Sequence, residues 1–143
     1  MYVSIKPYIH PKLQKLLKLK HKLFELSNLH TGPIHILCPE IMDENINELK
    51  KVFEELKVDY SIRFAHKTNK SLSLVKRAKF NKICIDVASY NELVSALSCG
   101  FTGSEISCSG PKSKKFILLS LYHNCLISID SVSYTHLRAH ETP

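Results

Sequence analysis

Residues 60–98 read YSIRFAHKTNKSLSLVKRAKFNKICIDVASYNELVSALS and contain the alternation of patterns that decides the fold. Two short segments within this stretch, 60–65 and 82–87, are predicted as strands because they are rich in β-branched and aromatic residues. Each is followed by a segment with helical periodicity, 71–80 after the first and 90–98 after the second. A strand, a helix and another strand in this order predict a βαβ unit and hence a parallel sheet.

The alternation continues on both sides of this unit. Residues 34–38 are predicted as a short apolar strand, and residues 39–57 as a helix that begins with proline and has acidic early turns. Further strands are predicted at 105–109 and 126–129, with a helix at 112–122 between them. Five strands alternating with four helices indicate either a doubly wound sheet or part of a (β/α)8 barrel.

Composition restricts the classes of function. Only four glycines occur in 143 residues, and neither G-x-G-x-x-G nor G-K-[ST] is present, which disfavours a dinucleotide-binding or P-loop protein. Five cysteines without a C-x-x-C pair disfavour a zinc site or a disulfide framework, so we expect reduced thiols and a cytoplasmic protein. The longest nearly apolar run, 116–129, is too short and too polar to cross a bilayer, so no membrane partner is expected.

The net charge of +7 is concentrated at one end of the chain. Residues 1–30 hold six lysines and one glutamate, whereas the remaining residues are nearly balanced in charge. The segment 11–26 has helical periodicity, and a membrane-surface helix is one interpretation of it. We expect instead a basic helical leader that packs on the following domain. Binding to nucleic acid is not expected, because no aromatic or zinc-finger signature accompanies the charge.

Polar residues follow the predicted strands at their carboxyl ends, which form the active-site face of a (β/α)8 barrel. Lys67 comes after the strand 60–65, Asp86 lies near the end of the next strand, and Asp130 follows the last. A lysine in that position can form a Schiff base with an aldehyde cofactor, although an exposed lysine at a strand end is the simpler interpretation. His66 should point away from Lys67 and pack between strand and helix.

The segment FAHKTNKS at 64–71 resembles the Y-A-x-K-A-N motif of the fold-type III pyridoxal-phosphate enzymes. That family comprises the ornithine, diaminopimelate and arginine decarboxylases, with alanine racemase as a relative. Five motifs match in register across residues 31–131, which is far more specific than the lysine motif alone. The leader and the H-K-T-N-K form of the lysine motif are similar to a less characterised bacterial branch. The other four motifs are TGPIHIL at 31–37, DVASYNEL at 86–93, GFTGSEISCSGPK at 100–112 and ISIDS at 127–131.

The resemblance implies both a fold and a reaction. The fold is α/β, the N-terminal part of a (β/α)8 TIM barrel of the alanine-racemase/decarboxylase type, with about five of the eight strands. The reaction is decarboxylation of an amino-acid substrate with pyridoxal 5'-phosphate, in polyamine or lysine biosynthesis. Lys67 matches the lysine that forms the Schiff base, and Asp86 matches an aspartate near the cofactor. Ser89 and Glu92 match polar residues of the same motif, but a helix capping box explains them better.

The family leaves two alternatives to a decarboxylase open. An amino-acid racemase shares the fold type, and a non-catalytic regulator would keep the barrel after losing the cofactor. The resemblance also implies that the full-length protein is a homodimer.

Three segments are predicted along the chain: a basic leader at 1–30, the first part of the cofactor-binding barrel at 31–131, and a tail at 132–143. The tail, VSYTHLRAHETP, loses the apolar periodicity and is expected to be non-native or out-of-frame sequence. His136 and His140 within it lack the glutamate and the third ligand of a zinc motif, so no metal site is predicted. Because the remaining strands and a second domain are expected elsewhere, we expect this fragment alone to be inactive.

Overall fold

The computed structural model describes residues 8–30 and 32–129, which contain a parallel four-stranded sheet. The predictions that involve Thr31, Asp130 and Ser131, and the whole tail at 132–143, lie outside the described residues. The strands are β1 (Arg63–Ala65), β2 (Cys84–Val87), β3 (Ile106–Cys108) and β4 (Leu126–Ile127). The helices are α1 (Pro11–Leu17), α2 (Lys20–Asn28), α3 (Pro39–Leu56), α4 (Leu72–Phe80), α5 (Tyr90–Ser98) and α6 (Lys114–Tyr122), with 3-10 turns at His66–Thr68 and Gly103–Glu105.

The order of the strands distinguishes between the two predicted architectures. The sheet runs β1-β2-β3-β4, and every neighbouring pair is parallel. Since parallel crossovers are right-handed, a strand order without a reversal places the connecting helices α4, α5 and α6 on one face of the sheet. A doubly wound sheet reverses its order and carries helices on both faces. The described residues therefore form an open part of a barrel.

The core lies between the sheet and these helices. On β2 the side chains alternate, so that Ile85 and Val87 are fully buried while Cys84 and Asp86 are only partly buried. The buried side chains of β2 face the helices, and the partly buried ones face the opposite side of the sheet. The other fully buried core residues are Val75, Ala78, Leu93, Ala96, Ile106 and Cys108, with Phe116 almost fully buried among them.

The predicted first strand at 34–38 is wrong, because this segment pairs with no strand among the described residues. Ile36 and Leu37 instead line a cavity of about 450 Å³ together with Met42 of α3 and Phe64 of β1. The segment thus contacts the domain through side chains, which an apolar run does as readily as pairing through its backbone. The described sheet has four strands where five were predicted, and Lys67 follows the first of them, not the second.

The leader also differs from its prediction. Two helices, α1 and α2, replace the single helix predicted at 11–26, and no residue of either helix is buried. The break lies at Lys18 and Leu19, where the apolar periodicity of the sequence is interrupted. The leader is joined to α3 by Glu44, whose carboxylate lies 3.0 Å from His10 Nε2 and 2.5 Å from Lys12 Nζ. None of the described helices is long and apolar enough to span a membrane.

An ion pair joins α3 to α4. Arg77 Nε donates to both carboxylate oxygens of Asp43, at 2.8 and 2.7 Å, and Asn81 Nδ2 donates to Oδ1 at 2.6 Å. The Arg77 guanidinium holds the pKa of the Asp43 carboxyl below its usual value, and Asn81 adds to this effect. Because the pKa of Asp43 is lower in the folded chain than in the unfolded chain, the pair adds stability at neutral pH that is lost in acid.

We expect Arg77→Gln to lower the free energy of unfolding at pH 7, and to lower it by progressively less as the pH falls below about 4. The loss shrinks in acid because Asp43 becomes protonated there and no longer attracts the guanidinium. Urea unfolding at pH 7 and pH 3 measures both values, with Lys76→Gln, an exposed neighbour on α4, as the control. An equal loss at the two pH values would show that the ion pair is not responsible.

Candidate active site

The candidate site lies on the sheet face that the connecting helices leave open, at the carboxyl ends of the strands. Ala65 of β1 is the register partner of Asp86, and Asp86 is the register partner of Ser107 on β3. Register partners on parallel strands project their side chains from the same face. The structure therefore places a methyl group, a carboxylate and a hydroxyl side by side across three strands.

Asp86 is held by two hydroxyl groups from β3 and its continuation. Ser107 Oγ donates to Asp86 Oδ1 at 2.6 Å, and Ser109 Oγ donates to Oδ2 at 2.6 Å. These distances are typical of charge-assisted hydrogen bonds to an ionised carboxylate. Each oxygen of the predicted site residue is thus directed by one serine.

Lys67 lies in the 3-10 turn His66–Thr68 that directly follows β1, and its side chain is exposed. Thr68 Oγ1 donates to the carbonyl oxygen of Ala65 at 2.7 Å, which fixes the start of the turn. The backbone N–H of Asn69 donates to the carbonyl of His66 at 3.2 Å, and Asn69 Oδ1 accepts from the backbone N–H of Ser71 at 3.0 Å. The lysine therefore projects from an ordered turn, one strand away from Asp86.

His66 is packed inside the domain, as predicted. Its side chain is only 2% exposed, and its ring centroid lies 6.5 Å from that of Phe64. Neither ring nitrogen has a hydrogen-bond partner within the part of the chain that the structure describes. A side chain buried in this way, beside an exposed Lys67, contributes to the packing of the domain.

Ser89 and Glu92 have the geometry of a helix cap. Ser89 Oγ accepts from the backbone N–H of Glu92 at 3.3 Å at the start of α5. Glu92 Oε2 accepts from the backbone N–H of Ala88 at 2.8 Å, one residue before the position used in a standard capping box. Lys70 Nζ lies 3.8 Å from the other oxygen of this buried carboxylate. Both residues satisfy backbone groups at the helix start.

The cysteines and the metal-binding residue types give no second site in the described ranges. Burial raises the pKa of the Cys125 thiol to about 12, so this thiol is neutral and a poor nucleophile near pH 7. Burial also raises the pKa of Cys108. No group of histidine, cysteine or acidic residues that could hold a metal occurs between residues 8 and 129, residue 31 excepted. His136 and His140 lie outside this part of the chain.

Comparison with known sequences relates the chain to one decarboxylase and one uncharacterized protein, while no family model matches it. It is 33% identical over 110 residues to the uncharacterized protein y4yA of Sinorhizobium fredii, covering 76% of this chain and 24% of that protein. It is 26% identical over 106 residues to diaminopimelate decarboxylase of Bacillus methanolicus, covering 72% of this chain and 24% of that enzyme. The chain spans about a quarter of the length of these curated relatives.

Comparison with solved structures shows the fold. Diaminopimelate decarboxylase from Helicobacter pylori, complexed with L-lysine, matches with a TM-score of 0.68 and 24% identity, over 80% of this chain and 29% of that one. Ornithine decarboxylase from Entamoeba histolytica matches with a TM-score of 0.67 and 21% identity, over 89% of this chain and 40% of that one. The predicted partial barrel is confirmed, as is the predicted similarity to diaminopimelate and ornithine decarboxylases.

Proposed function

We propose that this chain is the N-terminal part of a pyridoxal-phosphate-dependent amino-acid decarboxylase, with residues 31–131 as the first part of its barrel. The observation that carries the proposal is that Lys67 directly follows β1 while Asp86 lies near the carboxyl end of the adjacent parallel strand β2. The similarity to diaminopimelate and ornithine decarboxylases supports the same class of reaction. The complete protein is proposed to be a cytoplasmic homodimer that acts on an amino acid.

The residues present fit this cofactor in their chemistry. An aldehyde cofactor requires a primary amine, and Lys67 Nζ is an exposed amine at the strand end. An aspartate is expected near the cofactor, and Asp86 is a carboxylate held by two hydroxyl donors. Ala65, the register partner of Asp86 on β1, has only a methyl side chain and leaves space beside the carboxylate.

The roles of these residues follow from their chemistry. When bound, pyridoxal phosphate supplies an electron-accepting ring for the electron pair left behind as carbon dioxide departs. Lys67 Nζ would hold the cofactor as a Schiff base, and its amine, when not bound to the cofactor, would carry the proton that replaces the lost carboxyl group. Asp86 is proposed to lie near the cofactor and to orient it through its charge.

An assay of the complete protein on a panel of L-amino acids tests the proposed reaction. Carbon dioxide release from at least one of them, dependent on added pyridoxal phosphate, is the expected result. Chiral chromatography of the same mixtures detects the opposite enantiomer, which would identify a racemase of the same fold type. A protein that binds no cofactor and changes no amino acid would be a non-catalytic relative.

A further inference from the structure

We infer that Ser107 and Ser109 are positioning residues, which fix the Asp86 carboxylate in one orientation at the carboxyl end of β2. This inference rests on the proposed function and goes beyond it, because the motif comparison assigns no role to either serine. Its starting point is the pair of 2.6 Å hydrogen bonds, in which each serine donates to a different oxygen of the carboxylate.

The backbone holds both serines in place. Ser107 is the register partner of Asp86 within the β2–β3 ladder. The backbone N–H of Ser109 donates to the carbonyl oxygen of Val87 at 2.9 Å, which extends the ladder one residue past the end of β3. Gly110 then turns the chain away with a positive φ of 69°, a conformation that favours glycine. The two hydroxyls are therefore presented from an ordered backbone.

The arrangement around the carboxylate is asymmetric. Both hydroxyl donors come from the β3 side, whereas the register partner on the β1 side is Ala65, which has no polar side-chain atom. An ionised carboxylate can accept about four hydrogen bonds, so each oxygen of Asp86 keeps acceptor capacity after binding one serine. A cationic or N–H-bearing group of a ligand that enters between β1 and β2 would meet an anion whose orientation is already fixed.

Fixing the anion in advance strengthens binding, because the ligand then does not have to order the side chain. Two rotatable bonds separate the Asp86 carboxylate from the backbone, and the serines restrict both of them. If the serines act in this way, their whole effect on the cofactor passes through Asp86. If they only stabilise the sheet, their effect on the cofactor is independent of Asp86.

A double-mutant cycle on the complete protein separates these possibilities. The double variant Ser107→Ala/Ser109→Ala is expected to raise the Kd for pyridoxal phosphate about tenfold. A change of this size is typical when a charged group loses a hydrogen bond in a protein. In an Asp86→Asn background the same two substitutions are expected to have little further effect on Kd. Ser107→Thr with Ser109→Thr keeps both hydroxyls and is expected to retain the affinity.

The controls separate folding from positioning. Ser98→Ala removes an α5 hydroxyl that binds the carbonyl of Ser95, and it should leave Kd unchanged. Thermal unfolding shows whether each variant is folded. If the double variant does not fold, the single Ser109→Ala variant replaces it in the cycle. Equal losses with Asp86 present and in the Asp86→Asn background, or no loss in either, would overturn the inference alone. Absence of cofactor binding by the unmodified protein would overturn the proposed function and the inference together.

Discussion

Lys67→Ala in the complete protein is expected to reduce amino-acid decarboxylation by about a thousandfold or more, with little effect on folding. The amine is proposed to hold the cofactor, and alanine has no group that can form that bond. The folding expectation follows from the structure, because Lys67 is exposed and joined by no side-chain hydrogen bond or ion pair to any described residue. Steady-state rates with saturating cofactor, together with thermal unfolding curves, measure both effects.

Lys70→Ala is the matched control for this prediction. Lys70 lies three residues further along, is 75% exposed, and forms only a long ion pair with Glu92 at 3.8 Å. Its removal deletes the same charge from the same region and should change the rate by a small factor. Similar losses in the two variants would mean that local charge, and not the amine of Lys67, supports the reaction.

Gly103→Ala is expected to destabilise the fold by about 3 kcal/mol or more. A Cβ atom built at Gly103 would lie 1.6 Å from the carbonyl oxygen of His123 and 2.7 Å from its carbonyl carbon. Both are backbone atoms of the turn that connects α6 to β4, so no side-chain rotation can relieve the overlap. The turn would have to move, and β4 would lose its place beside β3.

Urea unfolding of Gly103→Ala and Gly32→Ala compares a crowded glycine with an open one. A Cβ atom at Gly32 would meet no described atom within 4 Å. We therefore expect the second variant to unfold almost as the unmodified protein does. Equal stability of the two variants would contradict the close approach of His123 to Gly103.

The element boundaries that could be predicted from the sequence are those fixed by local chemistry. Helix α5 is found at Tyr90–Ser98 as predicted, because Ser89 caps its start and Gly100 follows its end with a positive φ of 85°. Strand β4 is shorter than predicted, Leu126–Ile127 instead of 126–129, because it has a single neighbouring strand in the described sheet. Pairing across a sheet edge depends on a partner that a local pattern does not reveal.

In the candidate site, too, local sequence patterns predict some residues, whereas others depend on how the strands pair. Lys67 and Asp86 could be proposed from their motifs and from their positions after strands. The contribution of Ser107 could not, because its hydroxyl reaches Asp86 only through the register of β2 with β3. The alternation of Ser107 and Ser109 around the buried Cys108 was the available signal, since it places both serines on the face opposite the core.

Reduction of the complete protein with borohydride in the presence of pyridoxal phosphate, followed by peptide mass mapping, tests the central claim most directly. Borohydride converts a Schiff base into a stable secondary amine, so the lysine that held the cofactor keeps the added mass. A phosphopyridoxyl group on Lys67, absent from the Lys67→Ala variant, is the result that we predict. A modified lysine elsewhere, or no modification, would contradict the assignment of Lys67 as the residue that holds the cofactor.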